Sequence, residues 1–190
     1  NGGQLILAGD PKQLGPIIHS SIASEHGLAM SLIERLTLRD VYLGKASSVL
    51  TKLVRNYRSH PDILALPSKL FYDNELVPLG DRLITHSFIN WEHLPPKSKG
   101  TPMIFCGIEG KDEREGNSPS WFNRHEVMKV TEYVDLLLRT RHNPIQSMDE
   151  IGIIAPYQKQ VQKIKMALKL MSSVNGKDPR DIMVGSTEQF

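Results

Sequence analysis

The chain has 190 residues, 39% of them hydrophobic and 23% charged, with a formal net charge of +2. These values are ordinary for a globular protein and allow one domain, or one domain with part of another. No apolar run approaches the roughly 18 residues that a membrane span needs, so we expect no membrane partner. The single cysteine, Cys106, excludes a disulfide framework and a cysteine-based zinc cluster. We expect it to be a buried strand thiol in a reducing compartment.

Apolar β-type runs alternate with helical patterns along the chain. We predict strands at residues 4–8, 49–54, 103–107, 151–155 and 182–185. We predict a helix ending near residues 31–36, and further helices over 61–71, 124–139 and 157–171. Asn123 is suited to cap the third of these, with Glu126 able to reach back to its amide. Strands separated by helices indicate a parallel sheet with helices on both faces, which is an α/β fold.

The loop that follows the first predicted strand reads Gly-Asp-Pro-Lys-Gln-Leu-Gly-Pro, from Gly9 to Pro16. Glycine and proline make such a loop stiff and sharp. It can hold the amide of Gln13 at the sheet edge, where that amide suits a phosphate or an attacking water. An ordinary Asp-Pro turn is the alternative.

A second loop, Arg-Asn-Tyr-Arg-Ser-His-Pro from Arg55 to Pro61, lies between a predicted strand and a predicted helix. An arginine fixed at this position can stabilise charge on a transferring phosphoryl group. Tyr57 offers a flat face for a base. The alternative is a helix-entry loop with surface arginines.

Local charge gives two further expectations. Between Ile151 and Arg180 there are six lysines and arginines and one acid. This stretch is either a solvated helix face or a patch that follows phosphates, and both readings stay open. The seven histidines show no spacing typical of metal ligands, so we expect no intrinsic metal site.

The two loops, taken in order, resemble motifs III and IV of superfamily 1B helicases of the Upf type. Four more segments fall in that family's order: Phe-Tyr-x-x-x-Leu from residue 71, Ser-x-Phe-Asn-x-x-Glu from 120, Ala-Pro-Tyr-x-x-Gln from 155 and Val-Gly-Ser-x-x-x-Phe from 184. The stretch GKDEREGNSPSWFN, residues 110–123, is similar to the Armitage/Mov-ten branch, which comprises RNA helicases associated with small-RNA silencing. The resemblance implies a RecA-like parallel sheet, as in P-loop NTPase motors.

The resemblance implies an ATP site shared by the two loops. Gln13 matches the glutamine that senses the γ-phosphate, and Arg58 matches the arginine that reaches it; these two are the catalytic candidates. Tyr57 matches a tyrosine that packs on adenine. Gly9 and Asp10 belong to the same ATP-binding loop. The implied cofactor is ATP with Mg²⁺, whose ligands are expected outside this chain.

The resemblance also implies a nucleic-acid surface. Pro156, Tyr157 and Ser186 match segments of the second motor domain that approach the nucleic-acid backbone. Lys159 and Lys163 are the lysines of the basic stretch that we add to this surface. Where the family often has threonine, this chain has alanine at 155, so the corresponding hydroxyl contact is missing.

The implied domain organisation is partial. Residues 1–47 are expected to be the tail of the first RecA-like motor domain, and residues 48–190 most of the second, incomplete at its carboxyl end. The sequence contains no G-x-x-x-x-G-K-[ST] phosphate loop. We therefore expect ATPase activity from the full-length protein and none from these 190 residues alone.

The expected function is ATP-dependent translocation on single-stranded RNA, with unwinding or remodelling of ribonucleoproteins. The branch implies small-RNA silencing, with Argonaute-type proteins as partners. We expect the protein in the cytoplasm, including ribonucleoprotein granules, with the nucleus as a second compartment. Two alternatives remain: a DNA helicase of the same superfamily, and a truncated, non-catalytic interaction module.

Overall fold

The computed structural model describes residues 2–15, 17–43, 49–141 and 144–190. Its contacts divide the chain into two units, which we call the first unit (1–56 and 67–77) and the second unit (57–66 and 78–190). Among the described residues, no helix is both long enough and apolar enough to cross a bilayer.

The first half of the chain contains short elements. In chain order they are α1 (Ser21–Glu25), α2 (Leu32–Thr37), α3 (Asp40–Leu43), β1 (Arg55–Asn56), α4 (Pro61–Phe71) and β2 (Val77–Pro78). Helix α2 begins after Ser31, whose hydroxyl accepts a hydrogen bond from the amide of Glu34 at 3.1 Å. The prediction of a helix that ends near residues 31–36 is confirmed, but the helix is short and begins within this stretch, because Ser31 is its N-cap. The predicted helix over 61–71 is confirmed as α4.

The second half contains the longer helices. Its elements are α5 (Arg82–Thr85), β3 (Asp112–Glu113), β4 (Phe122–Asn123), α6 (Arg124–Arg139), β5 (Gly152–Ile154), α7 (Gln158–Leu170) and β6 (Met183–Gly185). Four short 3₁₀ turns join them, at Pro96–Ser98, Met148–Glu150, Pro179–Asp181 and Thr187–Gln189.

Strands β5 and β6 form a parallel pair in which Ile153 lies beside Val184. Helix α7 connects them, as a parallel crossover requires. Both strands had been predicted from their apolar runs, and both are confirmed. The amide of Ala155 extends the ladder by donating to the carbonyl of Gly185 at 3.0 Å.

The core of the second unit lies where α6 and α7 cover this strand pair. Helix α6 buries Val127, Val134 and Leu138, with Val130 and Leu137 packed at the margin, and all five lie on one face of the helix. Helix α7 and the two strands supply most of the remaining core, namely Val161, Ile164, Leu168, Ile151, Ile153, Ala155, Ile182 and Val184. Each helix therefore buries one apolar stripe, which is what its sequence pattern requires.

Helix α6 begins as its sequence predicts. The side-chain oxygen of Asn123 accepts hydrogen bonds from the amides of His125 (3.0 Å) and Glu126 (3.3 Å). These amides have no partner inside the helix, and the cap satisfies them. The helix ends at Arg139, also as predicted.

Three predicted strands do not form. Residues 4–8, 49–54 and 103–107 are not paired in any ladder among the described residues, and the side chains of Ile6, Leu53 and Phe105 are at least 90% exposed. Cys106, expected in a buried strand, is exposed. An apolar run becomes a buried strand only when another strand and a covering layer lie beside it, and nothing described in the structure supplies them here.

Candidate functional site

The loop after Gly9 is organised by one carboxylate. The Oδ1 atom of Asp10 accepts the amide of Lys12 at 2.9 Å. Its Oδ2 atom accepts two side-chain donors, the Nε2 of Gln13 at 2.8 Å and the hydroxyl of Tyr72 at 2.7 Å. The proposed sensor glutamine is thus held by the aspartate three residues before it, and Asp10 is in turn tied to the Phe-Tyr segment by Tyr72.

These hydrogen bonds shift the pKa values of Asp10 and Tyr72. Burial acts to raise the pKa of Asp10, but donation from Tyr72, from the Lys12 amide and from Gln13 outweighs it, so the pKa is lowered. The same contact raises the pKa of Tyr72, because its hydroxyl donates to Asp10. Hydrogen bonds to the ionised carboxylate of Asp10 are stronger than hydrogen bonds to a neutral acceptor.

Gly9 permits a close approach within the first unit. A Cβ atom at this position would lie 2.7 Å from Cδ1 of Ile33. The backbone before Asp10 therefore passes against an apolar side chain. Any larger residue at this position would have to displace that side chain.

The second predicted loop precedes α4 and presents Tyr57 and Arg58. The tyrosine is 65% exposed, and Arg58 is exposed as well. His60, only 5% exposed, anchors the loop: its Nδ1 accepts the amide of Asp62 at 3.1 Å, and its ring lies 4.3 Å from that of His86. Gln13 belongs to the first unit, and Tyr57 and Arg58 to the second.

The start of α7 presents two of the predicted nucleic-acid residues, Pro156 and Tyr157. Both are exposed, and Tyr157 occupies the N-cap position of α7 without a side-chain capping bond. The amide of Lys159 is satisfied by a distant segment instead, because it donates to Oγ of Ser120 at 3.0 Å.

Gln160 is a residue whose role the sequence did not reveal. Its Oε1 accepts the backbone amide of Asn123 at 2.8 Å, and its Nε2 donates to Glu126 at 3.1 Å. It is 5% exposed. The glutamine of the Ala-Pro-Tyr segment and the asparagine and glutamate of the Ser-x-Phe-Asn segment therefore join α7 to the start of α6. Their occurrence in the same family pattern was the signal that could have linked them.

Lys159 and Lys163 share one partner, Glu115. The Nζ of Lys159 lies 2.6 Å from Oε2 of Glu115, and the Nζ of Lys163 donates to Oε1. Donation from Lys159, followed by donation from Lys163, lowers the pKa of Glu115 to about 2. Sequence inspection did not identify this carboxylate, which lies within the charged stretch 111–115.

Ser186 follows β6 and is 4% exposed. Its amide donates to Oε1 of Gln189 at 2.9 Å. Its hydroxyl binds Glu188 and is the main cause of the lowered pKa of that carboxyl. Ser186, Lys159 and Lys163 therefore all contact a carboxylate.

The donor set suits part of a nucleotide. An exposed tyrosine ring can stack on a base, and a guanidinium and an amide can bind phosphate oxygens. The described residues include no group of three or more histidine, cysteine or acidic side chains that could hold a metal ion. Tyr57 and Arg58 in the second unit and Gln13 in the first are each chemically suited to the ATP contact predicted for them, and these contacts stay predictions.

Comparison with known proteins places these observations in a family. The AAA domain family matches residues 28–190. The chain is 48% identical over 199 residues to the putative helicase mov-10-B.1 of Danio rerio, covering 99% of this chain and 19% of that protein. It is 46% identical to the RNA helicase Mov10l1 of Mus musculus, covering 99% of this chain and 16% of the relative.

A more distant relative is the probable RNA helicase armi of Drosophila melanogaster, 37% identical over 98% of this chain and 16% of the relative. The chain belongs to the AAA domain family and, within it, to the superfamily 1 helicases of the Upf type. The predicted resemblance and the RecA-like α/β fold class are thereby confirmed. The chain spans less than a quarter of the length of these relatives.

Proposed function

We propose that this chain is part of an ATP-dependent RNA helicase that couples ATP hydrolysis to translocation along single-stranded RNA. The observation that carries the proposal is the 46% identity, over 99% of the chain, to a protein named RNA helicase. Hydrogen bonds between segments of the family pattern support the proposal. Tyr72 binds Asp10, and Gln160 binds the backbone at the start of α6. Hydrogen-bonded contacts between segments are one way in which a change at one site is transmitted to another.

On the ATP side, Arg58 has the transition-state role. Its guanidinium would stabilise the charge that develops on the transferring γ-phosphoryl group. Tyr57 would stack on adenine with its exposed ring. Gln13 would report the γ-phosphate, since its side-chain amide donates a hydrogen bond to Asp10 and could donate to a phosphate oxygen instead. Mg²⁺, held by residues outside this chain, would neutralise phosphate charge.

On the RNA side, binding would be to the backbone and therefore tolerant of sequence. Tyr157 offers an exposed ring beside Pro156 at the start of α7. Lys159 and Lys163 supply ammonium groups on the same helix, and the backbone at Ser186 follows the neighbouring strand β6. The three segments follow elements of one packed layer, which supports a common surface.

The cellular role follows from the branch that residues 110–123 resemble. We place the protein in small-RNA silencing, with Argonaute-type proteins as partners and the cytoplasm and its ribonucleoprotein granules as its location. The domain division proposed from sequence, with the second motor domain starting near residue 48, belongs to the same proposal.

The test is ATP hydrolysis by the full-length protein with RNA or DNA of the same sequence. We expect strong stimulation by single-stranded RNA and weak stimulation by DNA. Equal or greater stimulation by DNA would favour a DNA helicase. No nucleic-acid stimulation would favour a non-catalytic interaction module. These 190 residues alone, which lack a phosphate loop, should hydrolyse no ATP above a buffer blank.

A further inference from the structure

An acidic segment lies over the basic residues of α6 and α7. We call residues 112–115, Asp-Glu-Arg-Glu, the acidic strap. Its first two residues pair with β4 in an antiparallel ladder, with Glu113 opposite Phe122. Glu113 forms an ion pair with Nε of Arg124 at 3.1 Å. The ladder therefore fixes the strap beside the basic groups that follow β4.

Glu115, the last residue of the strap, is bound by two lysines at once. Each carboxylate oxygen takes one ammonium group, Oε2 from Lys159 and Oε1 from Lys163. A phosphodiester presents the same arrangement, because its single negative charge is shared by two non-bridging oxygens. Two lysines that bind the two oxygens of one carboxylate can bind the two oxygens of one phosphodiester in the same way.

Other contacts hold the lysines independently of Glu115. The amide of Lys159 is bound by Ser120. The Nζ of Lys163 lies 4.8 Å above the ring of Phe122, a cation–π contact with a ring that is 2% exposed. A cavity of about 320 Å³ lies beside them, lined by Phe122, Arg124, Val127 and Lys163. The backbone of Lys159 and the ammonium group of Lys163 therefore each have a contact that does not depend on the carboxylate.

We propose that Glu115 is an internal phosphate mimic, which occupies Lys159 and Lys163 in the RNA-free protein and is displaced by a phosphodiester of single-stranded RNA. This inference rests on the proposed function and specifies how its RNA surface is regulated. Displacement needs only rotation of an exposed glutamate side chain, and exposed ion pairs are weak enough to exchange. The carboxylate is ionised at neutral pH, as an ordinary glutamate is, and so carries the negative charge that the mimic requires.

The mimic lowers the affinity of the protein for RNA. A phosphate must replace an existing partner, so binding must first break the two ion pairs between Glu115 and its lysines. Removing the carboxylate removes that cost without changing the number of phosphate contacts in the complex. Exposed ion pairs are individually weak, and two of them together correspond to about 2- to 25-fold in affinity.

The experiment compares Glu115→Gln with Glu109→Gln in the full-length protein. Both substitutions remove one negative charge from the same exposed loop, but Glu109 forms no ion pair among the described residues. A fluorescently labelled oligouridylate is titrated at several salt concentrations. We expect about 2- to 25-fold tighter binding for Glu115→Gln with an unchanged salt slope, and little change for Glu109→Gln.

A third variant, Glu115→Gln with Lys159→Gln and Lys163→Gln, should lose the gain. Equal affinities for Glu115→Gln and Glu109→Gln would overturn the mimic, and so would weaker binding by Glu115→Gln, which would make Glu115 an orienting residue for the lysines. These results are distinct from failure of the proposed function, in which the wild-type protein would show no salt-dependent binding of oligouridylate at all.

Discussion

The two units of the chain differ in that, among the described residues, buried apolar side chains occur only in the second unit. In the second unit, Leu138, Ile164 and Leu168 are at most 2% exposed, because α6 and α7 cover a pair of parallel strands. In the first unit, Leu5 and Ile6 are more than 80% exposed. The difference shows that an apolar run gains burial only from the strands and helices beside it.

The units also differ in the chemistry of their candidate residues. The first unit offers neutral donors around one carboxylate, with Gln13 and Tyr72 both bound to Asp10. The second unit offers cations, with Arg58 before α4 and Lys159 on α7. We therefore expect substitutions in the first unit to affect coupling, and those in the second to affect charge stabilisation, RNA binding and folding.

The largest expected effect is on the chemical step. Arg58→Ala in the full-length protein should lower kcat about 10³-fold or more while changing ATP affinity little, because the guanidinium acts on transition-state charge. Steady-state ATPase kinetics with saturating RNA measure both. Arg55→Ala, which removes a similar exposed charge nearby, is the control and should be close to wild type. An unchanged kcat with a raised KM would make Arg58 a binding residue only.

The contrast in burial predicts a contrast in stability. Leu168→Ala should lower the free energy of unfolding by about 2–5 kcal/mol, since Leu168 is 1% exposed. Leu170→Ala on the same helix and Ile6→Ala in the first unit should each change it by less than about 0.5 kcal/mol, since both side chains are at least 88% exposed. Urea unfolding of the 190-residue chain, followed by circular dichroism, measures all three. A large loss for Ile6→Ala would mean that residues 4–8 are buried in solution.

The sequence predicted the second unit well because its signals are local. The Asn123 cap and the apolar stripe after it define α6, and the run at 151–155 defines β5. The run at 103–107 carries the same local signal and forms no strand, because pairing depends on distant neighbours.

The candidate site could likewise be predicted only where its signals are local in the sequence. The loop containing Gln13 and the segment containing Pro156 and Tyr157 were identifiable from their order along the chain. The contact between Glu115 and Lys163 joins residues 48 positions apart, and no periodic pattern in the sequence can indicate a contact over that distance. Tertiary contacts of this kind can be found only once the fold is known.

A smaller effect is expected from the first unit's sensor. Gln13→Ala should leave ATP and RNA binding nearly intact, lower RNA-stimulated hydrolysis moderately and lower unwinding more, because a neutral amide reports the phosphate rather than stabilising charge. The measurement is strands separated per ATP hydrolysed. Tyr72→Phe, which removes the other side-chain donor to Asp10, tests whether the loop's position matters as well. A strictly proportional fall in hydrolysis and unwinding for Gln13→Ala would restrict Gln13 to the chemical step.

The smallest effect concerns the acidic strap. The folded pKa of Glu115 lies below its ordinary value of 4.5, at about 2. The stabilisation from its lysines is therefore present above pH 4.5 and is lost as the pH falls through about 2. NMR titration of the carboxyl in the 190-residue chain should give a midpoint near 2. In the double variant Lys159→Gln and Lys163→Gln, the midpoint should return towards 4.5. A midpoint near 4.5 in the unmodified chain would mean that the lysines do not hold the carboxylate in solution.

The central claim is that the protein containing this chain converts ATP hydrolysis into movement on RNA. The most direct measurement is strand separation by the full-length protein on an RNA duplex with a single-stranded overhang, with ATP or with a non-hydrolysable analogue. We expect strands to separate with ATP and to remain paired with the analogue, and we expect the Arg58→Ala variant to behave with ATP as the wild type does with the analogue. Equal strand separation with ATP and the analogue, or none with either, would contradict the claim.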